Sequence, residues 1–232
     1  QRVRVVEQGG EQGYRRRDVN EQPHFKQRPD AQVAANLLEL GRAFGEQGVN
    51  ALFSVASAFG NAGERAGGGH TAARGQRPHD EGGAQPIAQV IVCPMLDDRT
   101  ALREDLNVIN YHIWDNGDNH AGWSLYLGQQ PGLPDVPPYA VPARRESLAG
   151  LPPAWLGIGT ADVFLDESRE YVNRLQTAGV ETEYFEAEGG VHAFQGLVPE
   201  ADISVAFWDS LDAFIRRVLA IPAIPHISTS PR

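Results

Sequence analysis

The segment from Gly63 to Gly68, which reads Gly-Glu-Arg-Ala-Gly-Gly, has the glycine spacing of a nucleophile elbow. In the motif Gly-x-Ser-x-Gly, the flanking glycines leave room for a sharp strand-to-helix turn that lifts the middle side chain above a sheet. Here Arg65 occupies the position of the serine. Its guanidinium stays protonated at any ordinary pH and cannot act as a nucleophile. The segment therefore predicts a strand–turn–helix unit that lacks the attacking atom.

Two residues of the kind that would assist such a serine follow later in the chain. Asp162 lies in Thr-Ala-Asp-Val-Phe, and His192 lies in Gly-Gly-Val-His-Ala-Phe. An acid before a histidine, both after the elbow, is the chain order of one large class of α/β enzymes. Asp166 is an alternative acid, but its position at the start of a predicted helix favours a capping role. We therefore predict Asp162 as the acid and His192 as the base.

The later part of the chain alternates between apolar strand patterns and amphipathic helix patterns, which is typical of a largely parallel sheet with helices on both faces. The predicted strands cover residues 87–92, 154–158 and 181–187. The predicted helices cover residues 30–44, 166–178 and a segment that begins at Pro199, while residues 51–59 fit either a strand or a helix. Asp162 and His192 both follow predicted strands, so we expect them at the carboxyl edge of the sheet.

The helix expected after the elbow contains several residues that disfavour an apolar helix. They are His70, Arg74, Gly75 and Pro78. A proline inside a helix costs about 3 kcal/mol, and an arginine on a buried face is unfavourable unless it is paired. We therefore expect this helix to be disrupted.

The first part of the chain differs in composition from the rest. Residues 1–83 carry 11 Lys and Arg against 10 Asp and Glu, whereas residues 84–232 carry 9 against 20. We predict a poorly recognisable N-terminal segment over residues 1–60, a core over 61–221 and a flexible tail over 222–232. The chain begins at Gln1 and its one methionine is Met95, so we expect an N-terminal part that is truncated or irregular.

Composition also excludes several classes of function. The net charge of −10 argues against a nucleic-acid partner, and no apolar run is long enough to predict a membrane span. The single cysteine, Cys93, fits a reducing compartment, and we predict a cytoplasmic protein in which this thiol is inert. His112, Asp118 and His120 match no ligand spacing, so neither a metal nor a cofactor is predicted. No feature indicates the oligomeric state.

Four further motifs resemble those of the hormone-sensitive-lipase-like carboxylesterases, the α/β-hydrolase fold-3 group. They are Pro94–Arg99, Trp123–Gly128, Pro137–Arg144 and Leu148–Trp155, and the likeness extends from about residue 63 to residue 219. The resemblance implies an α/β-hydrolase fold with Arg65 at the nucleophile position, Asp162 and His192 as triad partners, the Ala66 amide as an oxyanion donor, and no cofactor. It also implies that Asp97 and Asp98 anchor a loop. The His-Gly-Gly-Gly segment that these enzymes carry upstream does not occur in this sequence.

The resemblance implies hydrolysis of small-molecule carboxylic esters through an acyl-enzyme, in the manner of esterases and lipases. We expect this activity to be impaired because Arg65 replaces the serine. The region from Leu125 to Ala143 is expected to shape the acyl or alcohol pocket. An alternative function is that of a non-catalytic hydrolase-fold protein that binds a small ligand, with Arg65 holding a carboxylate.

Overall fold

A four-stranded parallel sheet forms the centre of the computed structural model, which describes residues 61–64, 66–83, 85–109 and 111–219. The strands are β1 (Asn61–Glu64), β2 (Gln89–Val92), β3 (Ala154–Ala161) and β4 (Thr182–Val191), and they lie in this order across the sheet. The predicted α/β fold and its three strands are thereby confirmed. The predicted elements over 30–44 and 51–59, Arg65 and the predicted tail lie outside the described residues.

Within the described ranges, five α-helices accompany these strands. They are α1 (Ala66–Glu81), α2 (Asn116–Leu127), α3 (Leu165–Thr177), α4 (Phe194–Leu197) and α5 (Asp202–Val218). The helix predicted over 166–178 is confirmed to within one residue. The predicted start of the last helix at Pro199 is wrong: the Ala201 amide donates to the Val198 carbonyl oxygen at 3.0 Å, so Pro199 lies in a turn before α5. The fixed φ of proline suits the second position of such a turn.

Alternate residues of the central strands pack against opposite layers of helices. Ile91, Leu156 and Ile158 belong to a buried cluster with Tyr171 and Leu175 of α3. Val90, Val92 and Trp155 belong to a second cluster with the apolar face of α5, formed by Phe207, Leu211, Phe214 and Ile215. This alternation follows from the two-residue period of a strand. Both faces of the sheet are therefore covered, as the continuous apolar pattern of the strands predicts.

Helix α1 is continuous, so the expectation that His70, Arg74, Gly75 and Pro78 disrupt it is wrong. Gly75 has a packing reason, because a Cβ there would lie 2.7 Å from Gln89 Oε1. At Gly69 a Cβ would lie 2.3 Å from the Met95 carbonyl oxygen. These glycines let α1 pack closely against β2 and the residues that follow it, and Pro78 falls in the last turn of the helix.

The carboxyl ends of β3 and β4 approach each other unusually closely at two glycines. A Cβ on Gly159 would lie 2.0 Å from the Gly190 carbonyl oxygen. The register shifts at this point, with Gly159 opposite Ala187 but Ala161 opposite Val191. Between these two pairs, β4 has more residues than β3. One of them is Gly189, whose φ of 72° lies in the left-handed region that glycine adopts most easily. This irregularity sets the positions of the residues that follow the two strands.

We predict that Gly159→Ala lowers the free energy of unfolding by about 1–3 kcal/mol, because the methyl group must displace backbone rather than a flexible side chain. Urea denaturation followed by circular dichroism measures the change. Gly196→Ala is the matched control, since a Cβ there meets nothing within 4 Å. Equal stability of the two variants would contradict the proposed constraint.

Candidate active site

Asp162 and His192 are directly hydrogen-bonded at the carboxyl edge of the sheet. Asp162 follows β3, His192 follows β4, and the distance from His192 Nδ1 to Asp162 Oδ2 is 2.8 Å. The side chains are almost fully buried, and Asp162 Oδ1 accepts a second hydrogen bond from the Phe164 amide at 3.0 Å. Because a carboxylate only accepts, Nδ1 is the donor and the lone pair of the neutral ring lies on Nε2.

Aromatic side chains fix the plane of the His192 ring. The centroid of Phe164 lies 5.6 Å from that of His192 in an edge-on arrangement, and the centroid of Trp114 lies 6.0 Å away. The next residue, Ala193, has a left-handed φ of 59° that turns the chain into α4. Within the described part of the chain, the buried Nε2 atom has no hydrogen-bond partner. The hydrogen bond at Nδ1 thus orients the imidazole and leaves Nε2 as its second polar atom.

The strand–turn–helix frame of the elbow ends at the same edge. Strand β1 ends at Glu64 and α1 begins at Ala66, with residue 65 between them in the sequence. Because β1 runs parallel to β3 and β4, the N-terminus of α1 lies on the side where Asp162 and His192 follow their strands. The first amides of a helix lack intrahelical acceptors. Arg65 itself is not described, and the oxyanion role of the Ala66 amide stays a prediction.

Asp166 does not compete with Asp162 for His192. Its exposed carboxylate pairs with Arg103 Nη1 at 2.7 Å. The predicted capping role is wrong as well, because the N-cap residue of α3 is Phe164 and no side chain caps this helix. Asp166 lies instead in the first turn, where a negative charge favours the helix dipole.

Asp98 anchors a loop, as predicted. It is fully buried and accepts two hydrogen bonds from the Arg144 guanidinium, at 2.9 Å and 2.7 Å, together with one from the Gly132 amide at 2.6 Å. Asp97 accepts hydrogen bonds from the amide and the guanidinium of Arg99. The segment after β2 is thereby tied to the region between residues 128 and 144.

Glu167 is a buried carboxyl that the sequence reasoning missed. Its Oε1 atom accepts a hydrogen bond from the Leu96 amide at 2.7 Å, which joins α3 to the segment after β2. Burial raises the pKa of Glu167 to about 8, and the Leu96 amide opposes this rise only in part. The side chain is therefore mainly neutral at neutral pH. A glutamate next to an aspartate at a helix start carries no sequence signal for burial.

An apolar cavity of about 120 Å³ adjoins the His192 ring through Trp114. Its lining comprises Gly69, Met95, Trp114, Gly122, Trp123, Tyr126 and Ala140. Tyr126 and Ala140 come from the region that was predicted to shape a pocket. The cavity is narrow at Gly122, because a Cβ there would lie 3.3 Å from Trp114 Cζ2 and 3.4 Å from Met95 Cε.

Cys93 lies beside the acid–histidine pair, which the sequence reasoning also missed. The residue is fully buried directly after β2 and has a φ of 40°, a left-handed value that is unusual for cysteine. Its sulfur, one Asp162 oxygen and one His192 ring nitrogen lie within 4.8 Å of one another. Its place after a predicted strand was a usable signal, because residues in such places meet at one sheet edge.

Comparison with known proteins identifies related sequences and structures. A family profile of the alpha/beta hydrolase fold matches residues 47–196. The esterase LipI of Mycobacterium tuberculosis is 30% identical over 148 residues, which make up 60% of this chain and 44% of LipI. A bacterial heroin esterase is 31% identical, with a TM-score of 0.64 over 80% of this chain and 58% of the other. The esterase LipW of Mycobacterium marinum is 32% identical, with a TM-score of 0.59 over 68% of this chain and 48% of the other.

The chain therefore spans about half the length of these relatives. None of the helices in the described ranges has the length and apolar character needed to cross a membrane.

We predict that Glu167 makes stability depend on pH. Its pKa is raised from an ordinary value of 4.5 to about 8, so its favourable contribution is complete below pH 4.5 and is lost as the pH rises through 8. The free energy of unfolding, measured relative to Glu167→Gln, should fall by about 1.4 kcal/mol per pH unit within that window. Urea titrations at several pH values test this. Glu170→Gln, an exposed neighbour on α3, is the control, and parallel pH profiles for the wild type and Glu167→Gln would refute the prediction.

Proposed function

Because this chain belongs to the α/β-hydrolase fold family, and within it to the hormone-sensitive-lipase-like esterases, we propose that its site is that of a carboxylic ester hydrolase impaired by Arg65. This membership confirms the resemblance that the four motifs predict.

The observation that carries the proposal is the buried hydrogen bond between Asp162 and His192, with Nε2 unpaired among the described atoms. In a chain with serine at position 65, Nε2 would take the hydroxyl proton as the oxygen attacks the ester carbonyl carbon. Asp162 would stabilise the imidazolium, and the Ala66 amide would donate to the oxyanion. His192 would then protonate the leaving alcohol and afterwards activate water to release the acid.

With Arg65 in place of serine, the attack on the ester carbonyl carbon cannot occur. The later steps then have no acyl-enzyme to act on. A protonated guanidinium has no free electron pair with which to form an acyl-enzyme. The acid–histidine pair does not depend on that residue for its own hydrogen bond. We therefore infer that this chain retains the proton-transfer half of the site and lacks the nucleophilic half.

The cavity beside Trp114 supports short acyl chains as the substrates of the site. An apolar cavity of about 150 Å³ holds one benzene molecule, and the cavity here measures about 120 Å³. An acetyl or butyryl group fits this space. Apolar walls with few polar atoms suit the hydrocarbon part of an ester.

We predict that Arg65→Ser raises kcat/KM on p-nitrophenyl acetate and butyrate above that of the wild-type chain, because it supplies the hydroxyl that Nε2 can deprotonate. The recovered rate should remain roughly 10²–10³ below that of an esterase with a complete oxyanion hole, since the upstream glycine loop is missing from the sequence. Initial rates with purified protein measure both effects.

Adding His192→Ala to Arg65→Ser should abolish the gain, whereas adding His112→Ala, an exposed histidine, should not. Wild-type turnover that is clearly above background and disappears in His192→Ala would show that the chain is not impaired. Saturable binding of a small carboxylic acid that Arg65→Ala weakens, with no turnover in Arg65→Ser, would favour the ligand-binding alternative instead.

We also predict that residue 122 sets the acyl length. In the Arg65→Ser background, Gly122→Ala should lower the ratio of kcat/KM for butyrate to that for acetate by about tenfold, because a methylene in an apolar pocket contributes about 1–3 kcal/mol. Met95→Val, which removes volume from another wall of the cavity, should shift the preference towards longer esters. An unchanged butyrate-to-acetate ratio in both variants would place the acyl group elsewhere.

A further inference from the structure

Three side chains that can bind a metal ion lie close together at the carboxyl edge of the sheet. The Cys93 sulfur, one Asp162 oxygen and one His192 ring nitrogen lie within 4.8 Å of one another. The three residues are at most 2% exposed. Thiolate, imidazole and carboxylate are the ligands that Zn²⁺ takes in proteins, with three of them and one further position in its open sites. We propose that Cys93, His192 and Asp162 form a binding site for Zn²⁺ or a similar thiophilic divalent cation.

The spacing of the three atoms fits this proposal after a small adjustment. In a tetrahedral zinc site, bond lengths of about 2.0–2.3 Å place neighbouring ligand atoms roughly 3.3–3.6 Å apart. Oδ2 and Nδ1 of the acid–histidine pair lie 2.8 Å apart, and the sulfur, a carboxylate oxygen and a ring nitrogen all lie within 4.8 Å of one another. Side-chain shifts of about 1–1.5 Å would bring three such atoms to tetrahedral spacing.

The Asp162 carboxylate beside Cys93 favours a bound cation over a free nucleophilic thiolate. A neighbouring carboxylate disfavours a second negative charge on sulfur, unless a cation lies between the two groups. Cys93 is also fully buried, which denies a substrate access to the sulfur. A substitute role for Cys93 as the attacking residue is therefore disfavoured, whereas both facts are compatible with a desolvated metal ion.

The backbone at Cys93 independently points to a ligand. A left-handed φ of 40° is costly for a residue with a Cβ, and such conformations cluster at functional sites.

The protons balance when the ion binds. Cys93 loses its thiol proton to solvent as the sulfur–metal bond forms. Because Asp162 faces Nδ1, an ion held by both residues binds Nδ1, and the ring proton moves to Nε2. With Nε2 protonated, His192 no longer accepts a proton from a nucleophile. Only this consequence for catalysis rests on the proposed function, because binding of the ion does not require ester hydrolysis.

Co²⁺ is the probe, because a bond to thiolate produces a charge-transfer band and four-coordinate Co²⁺ has intense visible bands. The chain is kept reduced with a phosphine and titrated with Co²⁺, both folded and during refolding, since a buried site opens slowly. We expect one Co²⁺ per chain with both sets of bands, and complete loss of these bands on adding Zn²⁺.

Cys93→Ser, which nearly preserves side-chain volume, should abolish the charge-transfer band, and His192→Ala and Asp162→Asn should each weaken binding at least tenfold. The matched controls are His112→Ala and Asp166→Asn, which alter exposed residues of the same types and should leave the titration unchanged. Circular dichroism verifies that each variant is folded.

Absence of the charge-transfer band in both the folded and the refolded chain would overturn the proposal. So would a band that survives in both His192→Ala and Asp162→Asn, because the cysteine would then bind the ion without the other two residues. Neither result depends on esterase activity, so failure of this proposal and failure of the proposed function are distinguishable.

Discussion

The contact between β3 and β4 at Gly159 and Gly190 constrains the geometry of the whole site. The two backbones are so close there that a Cβ atom on Gly159 would collide with the Gly190 carbonyl group. The register of the two strands shifts immediately after this contact. The two strands consequently place Asp162 and His192 within hydrogen-bonding distance of each other, although the two residues are 30 positions apart in the sequence. Trp155 and Phe207 pack against each other beside the same strands, with ring centroids 5.0 Å apart, and support this arrangement.

Three buried carboxyl groups around this edge avoid the cost of an isolated charge in three different ways. Asp98 is paired with the Arg144 guanidinium, and Asp162 accepts hydrogen bonds from His192 and the Phe164 amide. Burial instead keeps Glu167 mainly neutral at neutral pH, as its raised pKa indicates. Each solution links segments that are distant in sequence. Polar contacts therefore hold the loops around the site, and through Glu167 they also join α3 to the segment after β2.

The acid–histidine pair has structural reasons to persist in a chain with arginine at the nucleophile position. His192 packs against Phe164 and Trp114, and its Nδ1 donates to Asp162 Oδ2, a buried oxygen that the Phe164 amide does not reach because it bonds to Oδ1. Loss of either side chain would leave the other unsatisfied. Folding alone therefore favours retention of this pair, whether or not an ester is ever cleaved.

The sequence by itself determined the order of strands and helices after residue 84, because period-two and period-3.6 apolar patterns are local properties of the chain. It also identified Asp162 and His192 as candidates through their order after the elbow and through the family resemblance, and their places after two strands predicted that they lie at one edge of the sheet. Only the tertiary structure showed that Gly75 serves close packing, that Asp166 pairs with Arg103, and that Glu167 and Cys93 are buried beside the site. These properties depend on contacts between residues far apart in the chain, and no local pattern records such contacts.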